Sequence, residues 1–220
     1  MRQEHLAVGA FALMTPELAG IGCEAAVLGL VARASADEVR HAEVCRRMAV
    51  IMLGEDQVPP AWRGLPKVPL QVGADARTRA LRHVVEMCCL SETLTGAFFT
   101  EMHARATDAV ARTVVESLLE DEIDHGRVGW AYLAARSQQG TVGGLAAALP
   151  SMLDRTFGTA LRNLGRVVDD DAMEGFGYVR DGACREIFRR ALRDVVVPGF
   201  ETLGVDLSAA RPTIEPLLEA

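Results

Sequence analysis

Two short strings carry the residues best suited to chemistry: Asp37-Glu38-Val39-Arg40-His41 and Asp121-Glu122-Ile123-Asp124-His125. In each, a Glu precedes a His by three positions. Residues three apart on a helix lie on one face, one above the other. The chain has only five His, and two of them stand in this setting. Carboxylate and imidazole supplied together by two separate helices form the donor set that a dinuclear metal site in a four-helix bundle requires.

The surroundings of these pairs are apolar at helical spacing. Glu38 and His41 share a face with Ala34, Ala42, Cys45, Met48 and Met52, and Glu122 and His125 share theirs with Val115, Leu118, Leu119, Gly129 and Tyr132. Such a stripe is predicted to point inward. A carboxylate on it costs several kcal/mol unless it is paired or metal-bound. The same reasoning selects Glu4, on the stripe of Ala7, Val8, Phe11 and Met14, and Glu92, with Val85, Cys88, Thr95, Gly96 and Phe99. Glu86 competes with Glu92, but six residues turn it by roughly 120° toward Arg79, Arg82 and His83, a wetter face.

Glu4 precedes Glu38 by 34 residues and Glu92 precedes Glu122 by 30. Two antiparallel helices of roughly 20 residues with a turn between them bring such pairs level. One level of the bundle is therefore predicted to hold Glu4, Glu38, His41, Glu92, Glu122 and His125. Four carboxylates suit two divalent cations, and hard oxygens with two nitrogens favour iron or manganese. Asp37 and Asp121 are placed to orient the imidazoles by hydrogen bonding. Arg40 and Asp124 read as ordinary flanking charges. Gly96, Gly126 and Gly129 lie within about one turn of a ligand; they signal either close helix approach or room for O2 and a small substrate. His5, His83 and His103 read as surface or packing residues.

The elements that must position these groups are helical. Periodicity runs from about Gln3 to Gly20, where Pro16 is expected to kink the helix or start a new one, and Gly20-Ile21-Gly22 is a reversal. A second helix spans about Glu24 to Leu53, stopped by Gly54. The Pro-rich stretch from Glu55 to Ala74 reads as a crossover. Asp75 caps a third helix to about Ala106, and Asp108 a fourth to about Ser137; their short connection makes them antiparallel neighbours. Beyond a linker at Gln138–Gly144, a helical stretch runs from about Leu145 to Val168. An acidic turn follows at Asp169-Asp170-Asp171. A last helix runs from about Asp181 to Phe200, interrupted near Pro198, and a Pro-containing tail ends the chain. The buried face of that helix is predicted as Cys184, Ile187, Phe188, Ala191, Leu192 and Val195. The expected architecture is all-α: residues 1–140 as a four-helix bundle with the metal site, and residues 141–220 as two further helices packed on it.

The pattern Glu…DExxH…Glu…DExxH, within EHLAVGAF, ADEVRHAEVC, LSETLTG and EDEIDHG, resembles the ferritin-like di-iron carboxylate superfamily, and among its members uncharacterised bacterial ferritin-like domain proteins. The likeness covers about Gln3 to Ser137. It implies that Glu4, Glu38, His41, Glu92, Glu122 and His125 ligate two irons, and that the irons reduce O2 or peroxide to oxidise a substrate, a cofactor of another protein, or iron itself. The leading expectation is a non-haem di-iron oxidase or oxygenase acting on a small organic molecule, with O2 and an electron donor as further partners; a homodimer is compatible with the sequence. The alternative is a ferritin- or rubrerythrin-like protein that handles iron or scavenges peroxide. A third reading is a non-enzymatic bundle whose carboxylates pair with Arg.

Composition narrows the field. The chain has 220 residues, half of them hydrophobic, and a formal charge of −7. The acidic balance argues against nucleic acid, which needs a basic face. Five scattered Cys without a CxxC fit neither a disulfide framework nor a rubredoxin-like iron module, and point to a reducing cytoplasm. Glu4 and the lone Arg2 before the apolar run at Leu6–Met14 argue against a signal peptide. No apolar run reaches the roughly 20 residues of a membrane span.

Overall fold

The computed structural model describes residues 2–55, 58, 75–164 and 171–219. These residues are all-helical, with no strand among them. No helix among them is long and apolar enough to cross a membrane. The predicted crossover, apart from residues 55 and 58, lies outside the described residues, as do the end of the stretch reaching Val168 and the acidic positions 169 and 170. The chain forms two compact units, Met1–His83 and Val84–Ala220.

The first unit is built on a helical hairpin of α1 (Arg2–Gly20) and α2 (Ala25–Leu53). The helices pack because α1 buries Ala7, Val8, Phe11, Met14 and Leu18, while α2 buries Val31, Ala34 and Ala42. Helix α1 runs through Pro16 without restarting. Proline deprives only the Ala12 carbonyl of its donor, and Ala12 and Pro16 are both exposed, where water serves instead. The reversal is specified by hydrogen bonds: Cys23 N–H donates to Leu18 O at 3.0 Å and Gly22 N–H to Ala19 O at 3.1 Å. That bonding pattern needs a left-handed residue, and Gly22 supplies it at φ 71°. Gly54, at φ 87°, ends α2. Asp75 caps α3 (Ala76–Val84) by accepting from the backbone N–H of Arg77 and Thr78.

In the second unit the predicted third helix departs from regular geometry. Val85–Ser91 is a π-helical turn, closed by the Glu92 N–H donating to Met87 O, five residues back. Regular helix resumes as α4 (Glu92–Arg105). After a short turn, Asp108 caps α5 (Ala109–Gln138) by accepting from Ala111 N–H at 2.8 Å. Helices α4 and α5 pack as antiparallel neighbours. The Gly175 carbonyl accepts from both Thr107 and Asp108 N–H and pins the turn between them.

The C-terminal part is more broken than expected. The stretch predicted from Leu145 opens with turns, then continues as α6 (Leu149–Leu153), a π turn at Asp154–Gly158 and α7 (Thr159–Asn163). Asp171 does not sit in an acidic turn; it begins a short 3-10 helix, Asp171–Phe176. The last predicted helix is α8 (Asp181–Arg190), a π turn at Ala191–Val196 and α9 (Val197–Thr202). That wide turn, ahead of Pro198, is the interruption, and it shifts the buried face by one residue: Val196 is buried, whereas Val195 is 46% exposed. The tail is not irregular either. It forms α10 (Arg211–Glu219), with Pro212 in the first turn, where its missing N–H costs nothing, and Ile214 buried. Together with Leu149–Asn163 and Asp181–Thr202, this makes three stretches containing α-helix after α5 among the described residues, where two were expected. Trp130 on α5 contacts α9: its ring tilts against Phe200 at 5.5 Å, and a Cβ on Gly199 would lie 2.7 Å from the indole. Its Nε1–H donates to Thr93 Oγ1 on α4 at 3.1 Å.

Candidate functional site

Each unit buries one Glu–Glu–His triad. In the first, α1 contributes Glu4 and α2 contributes Glu38 and His41, and all three residues are buried. Each offers a ligand atom within 4.8 Å of those of the other two. Glu38 and His41 follow the one-turn geometry expected of a three-residue spacing: Glu38 Oε2 lies 3.4 Å from His41 Nδ1. The opposite ring nitrogen, Nε2, is 3.4 Å from Arg40 Nη2.

The second unit repeats the arrangement. Glu92 opens α4 directly after the π turn, and α5 supplies Glu122 and His125. All three are buried, with ligand atoms again within 4.8 Å of one another. Glu122 Oε2 lies 3.6 Å from His125 Nδ1. Both His therefore turn the same nitrogen toward the Glu three residues earlier.

The donor chemistry fits a divalent cation. Two carboxylates and one neutral imidazole carry two negative charges, which one such ion offsets. An ionised carboxylate enclosed by protein is expensive unless a cation or hydrogen bonds compensate it. Oxygen and imidazole donors suit iron or manganese, and no thiolate is part of either triad. These buried Glu/His clusters can hold a metal ion; the donor set does not single out which.

The flanking residues have varied placements. Asp37 lies 3.4 Å from Arg33 on its own helix and is half-buried, as is Asp121. Asp124 is exposed and paired with Arg127 at 3.1 Å. Glu86, the competitor of Glu92, is engaged elsewhere: the Arg155 guanidinium donates to both of its carboxylate oxygens. This pair joins the π turn Val85–Ser91 to the π turn Asp154–Gly158. Tyr132 is buried under the Arg136 guanidinium, 5.0 Å from its ring centre. Burial pushes the Cys45 thiol up, and the charge of Glu4 adds to the effect. Burial pushes Cys89 up much further.

The three glycines separate. A Cβ on Gly96 would meet nothing within 4 Å, so open space surrounds it. One on Gly126 would make ordinary contacts, 3.7 Å from Cys88 O and 4.0 Å from Glu92 Cβ. One on Gly129 would overlap Cys88 Cβ and press on the backbone of Cys88 and Cys89 at 3.0 and 3.1 Å. Close approach is the reason for Gly129 alone.

Sequence reasoning missed one buried polar pair. His83, expected to be a surface or packing residue, is buried, with its Nδ1 2.9 Å from Oε2 of the half-buried Glu17. The partners are 66 residues apart, and no local spacing signals such a contact. Comparison of the chain with protein-family models, with curated proteins and with solved structures finds no match, so the reading of both triads stands on their own residues.

Proposed function

We propose that the protein is a non-haem di-iron oxidoreductase of the ferritin-like four-helix class that uses O2 to oxidise a small organic molecule. The observation that carries this reading is the duplicated triad: one Glu from a first helix and a Glu-x-x-His pair from a second, buried once in each unit. This is the ligand pattern of carboxylate-bridged di-iron bundles.

In this reading Glu4, Glu38 and His41 hold one ion, and Glu92, Glu122 and His125 the other. When bound, two ferrous ions supply the electrons that reduce O2 and the oxidising power for a C–H, N–H or aldehyde group. The rest falls to the chain. His41 and His125 turn Nδ1 toward the Glu three residues earlier, so that a ring nitrogen and a carboxylate oxygen of each pair lie close enough to share one ion. Buried Phe11 and Met14 in the first unit, and Leu118 and Tyr132 in the second, lie on the ligands' own helix faces and keep water away from them. Exclusion of water strengthens every charge interaction at such a site.

Anaerobic reconstitution with ferrous iron, metal counting and then exposure to O2 tests the proposal. The expected result is two irons per chain, O2 consumption, and an optical change whose decay accelerates with a substrate. Fewer than two irons, or no reaction with O2, refutes it. Continued iron uptake far beyond two per chain decides instead for the iron-handling alternative.

A further inference from the structure

We propose that Gly129 is a positioning residue: its missing side chain lets the π turn Val85–Ser91 lie against α5, and this approach sets how far Glu92 reaches toward Glu122 and His125. The inference rests on the metal-binding reading and adds a residue that contacts no metal.

Gly129 lies one turn beyond His125 on the same face of α5 and is buried. Directly across from it stands Cys88, at the middle of the π turn. A β-carbon at 129 would overlap that of Cys88 and crowd the backbone of Cys88 and Cys89 at 3.0 and 3.1 Å. Carbon atoms in contact stand about 3.5–4.0 Å apart, so the added methyl has to push the two segments apart by more than about 1 Å. The end of a flexible side chain could swing away; a β-carbon and two backbone atoms cannot.

The π turn transmits that displacement. Its last bond is the Glu92 N–H to Met87 O, so Glu92 is part of the turn that has to move. Glu92 is also the one ligand of its triad that α5 does not carry. Metal–ligand bonds tolerate about 0.2 Å, well below the shift required. A glycine inside a helix costs roughly 0.5–1 kcal/mol relative to Ala, and the contact with Cys88 is a specific reason to keep it. Gly126 is the built-in control. It lies nearer to Glu92, yet its β-carbon would meet only ordinary contacts at 3.7 and 4.0 Å.

The test is anaerobic titration of the full-length wild type, G129A and G126A with cobalt(II), recording the number of ions bound, their affinity and the visible spectrum, with circular dichroism as the check on folding. The wild type and G126A are expected to bind two ions alike. G129A is expected to keep its helicity and one ion, to bind the other about 10–100-fold more weakly, as disturbed outer contacts of a metal site do, and to show an altered visible band. Adding C88G to G129A removes the β-carbon that the methyl overlaps and leaves only the tighter backbone contacts at 3.0 and 3.1 Å, so it is expected to bring the spectrum and the affinity most of the way back to the wild type. If G129A does not fold, the double variant decides: recovery of folding and cobalt binding supports the inference, and failure to recover overturns it. G129A binding both ions with the wild-type affinity and spectrum overturns the inference alone. A wild type that binds no cobalt overturns the metal reading, and this inference with it.

Discussion

The Arg155 guanidinium grips Glu86 through both carboxylate oxygens, with Nη2 donating to Oε2 at 2.8 Å. Two acidic residues six positions apart on one helical stretch thus have different fates. Glu86 is neutralised by an arginine, while Glu92 is buried beside Glu122 and His125.

That division gives the first prediction. E92Q keeps the shape of the side chain and removes its charge, so affinity for one of the two ions is expected to fall at least about tenfold. E86Q is expected to retain both ions and to lose about 0–1 kcal/mol of stability, the range for partly exposed ion pairs. Metal analysis after dialysis, together with urea denaturation, separates the two. Loss of metal in E86Q with retention in E92Q reverses the ligand assignment.

The π turn at Ala191–Val196 predicts an inversion at adjacent valines. V196A removes buried methyl groups and is expected to cost about 2 kcal/mol. V195A, at an exposed position, is expected to stay within about 0.5 kcal/mol of the wild type. Regular helical phase would give the opposite order, and two denaturation curves distinguish them.

Gly96 sits in open space within α4. G96A is therefore expected to stabilise the protein by about 0.4–1 kcal/mol by restricting the unfolded chain. A gain in stability with a fall in substrate turnover would mark the open space as part of a substrate pocket. A gain with unchanged turnover leaves Gly96 a plain helix residue.

The α2 surface predicts an acid-resistant carboxylate. Hydrogen bonds from Arg46 and then Arg47 hold Glu43 down at about 2, against an ordinary 4.5. A lowered folded-state value means that the contribution is present in full above the ordinary value and fades as pH falls through about 2. Carboxyl carbon NMR is expected to show the Glu43 midpoint near 2, R46M to raise it more than R47M, and either variant to narrow the pH range over which the contribution persists. A Glu43 midpoint near 4.5 in the wild type rules this out.

Much of the architecture was readable from spacing and caps. Asp75 and Asp108 start their helices as side-chain acceptors should. Gly22 and Gly54 end theirs at positive φ. Inward orientation of Glu4, Glu38, His41, Glu92, Glu122 and His125 followed from the apolar positions at three- and four-residue spacing around each. Three kinds of feature were not readable. The π turns share their composition with ordinary helix and differ only in which carbonyl each N–H chooses, a choice made by packing. Val195 was misplaced for that reason. The Glu17–His83 pair depends on segments remote in sequence. The helix after Pro212 was hidden because proline marks both loops and first helical turns.

The bond from Glu92 back to Met87 also bears on how this chain would be compared with others. A helix closed five residues back holds one more amino acid than a regular helix of the same course. A protein of this architecture with a straight helix there would align only through a single-position gap between 85 and 91. Reading across that gap without opening it would rotate every position on one side by about 100°, and would set Ser91 or Thr93 in the place of the acid that faces His125.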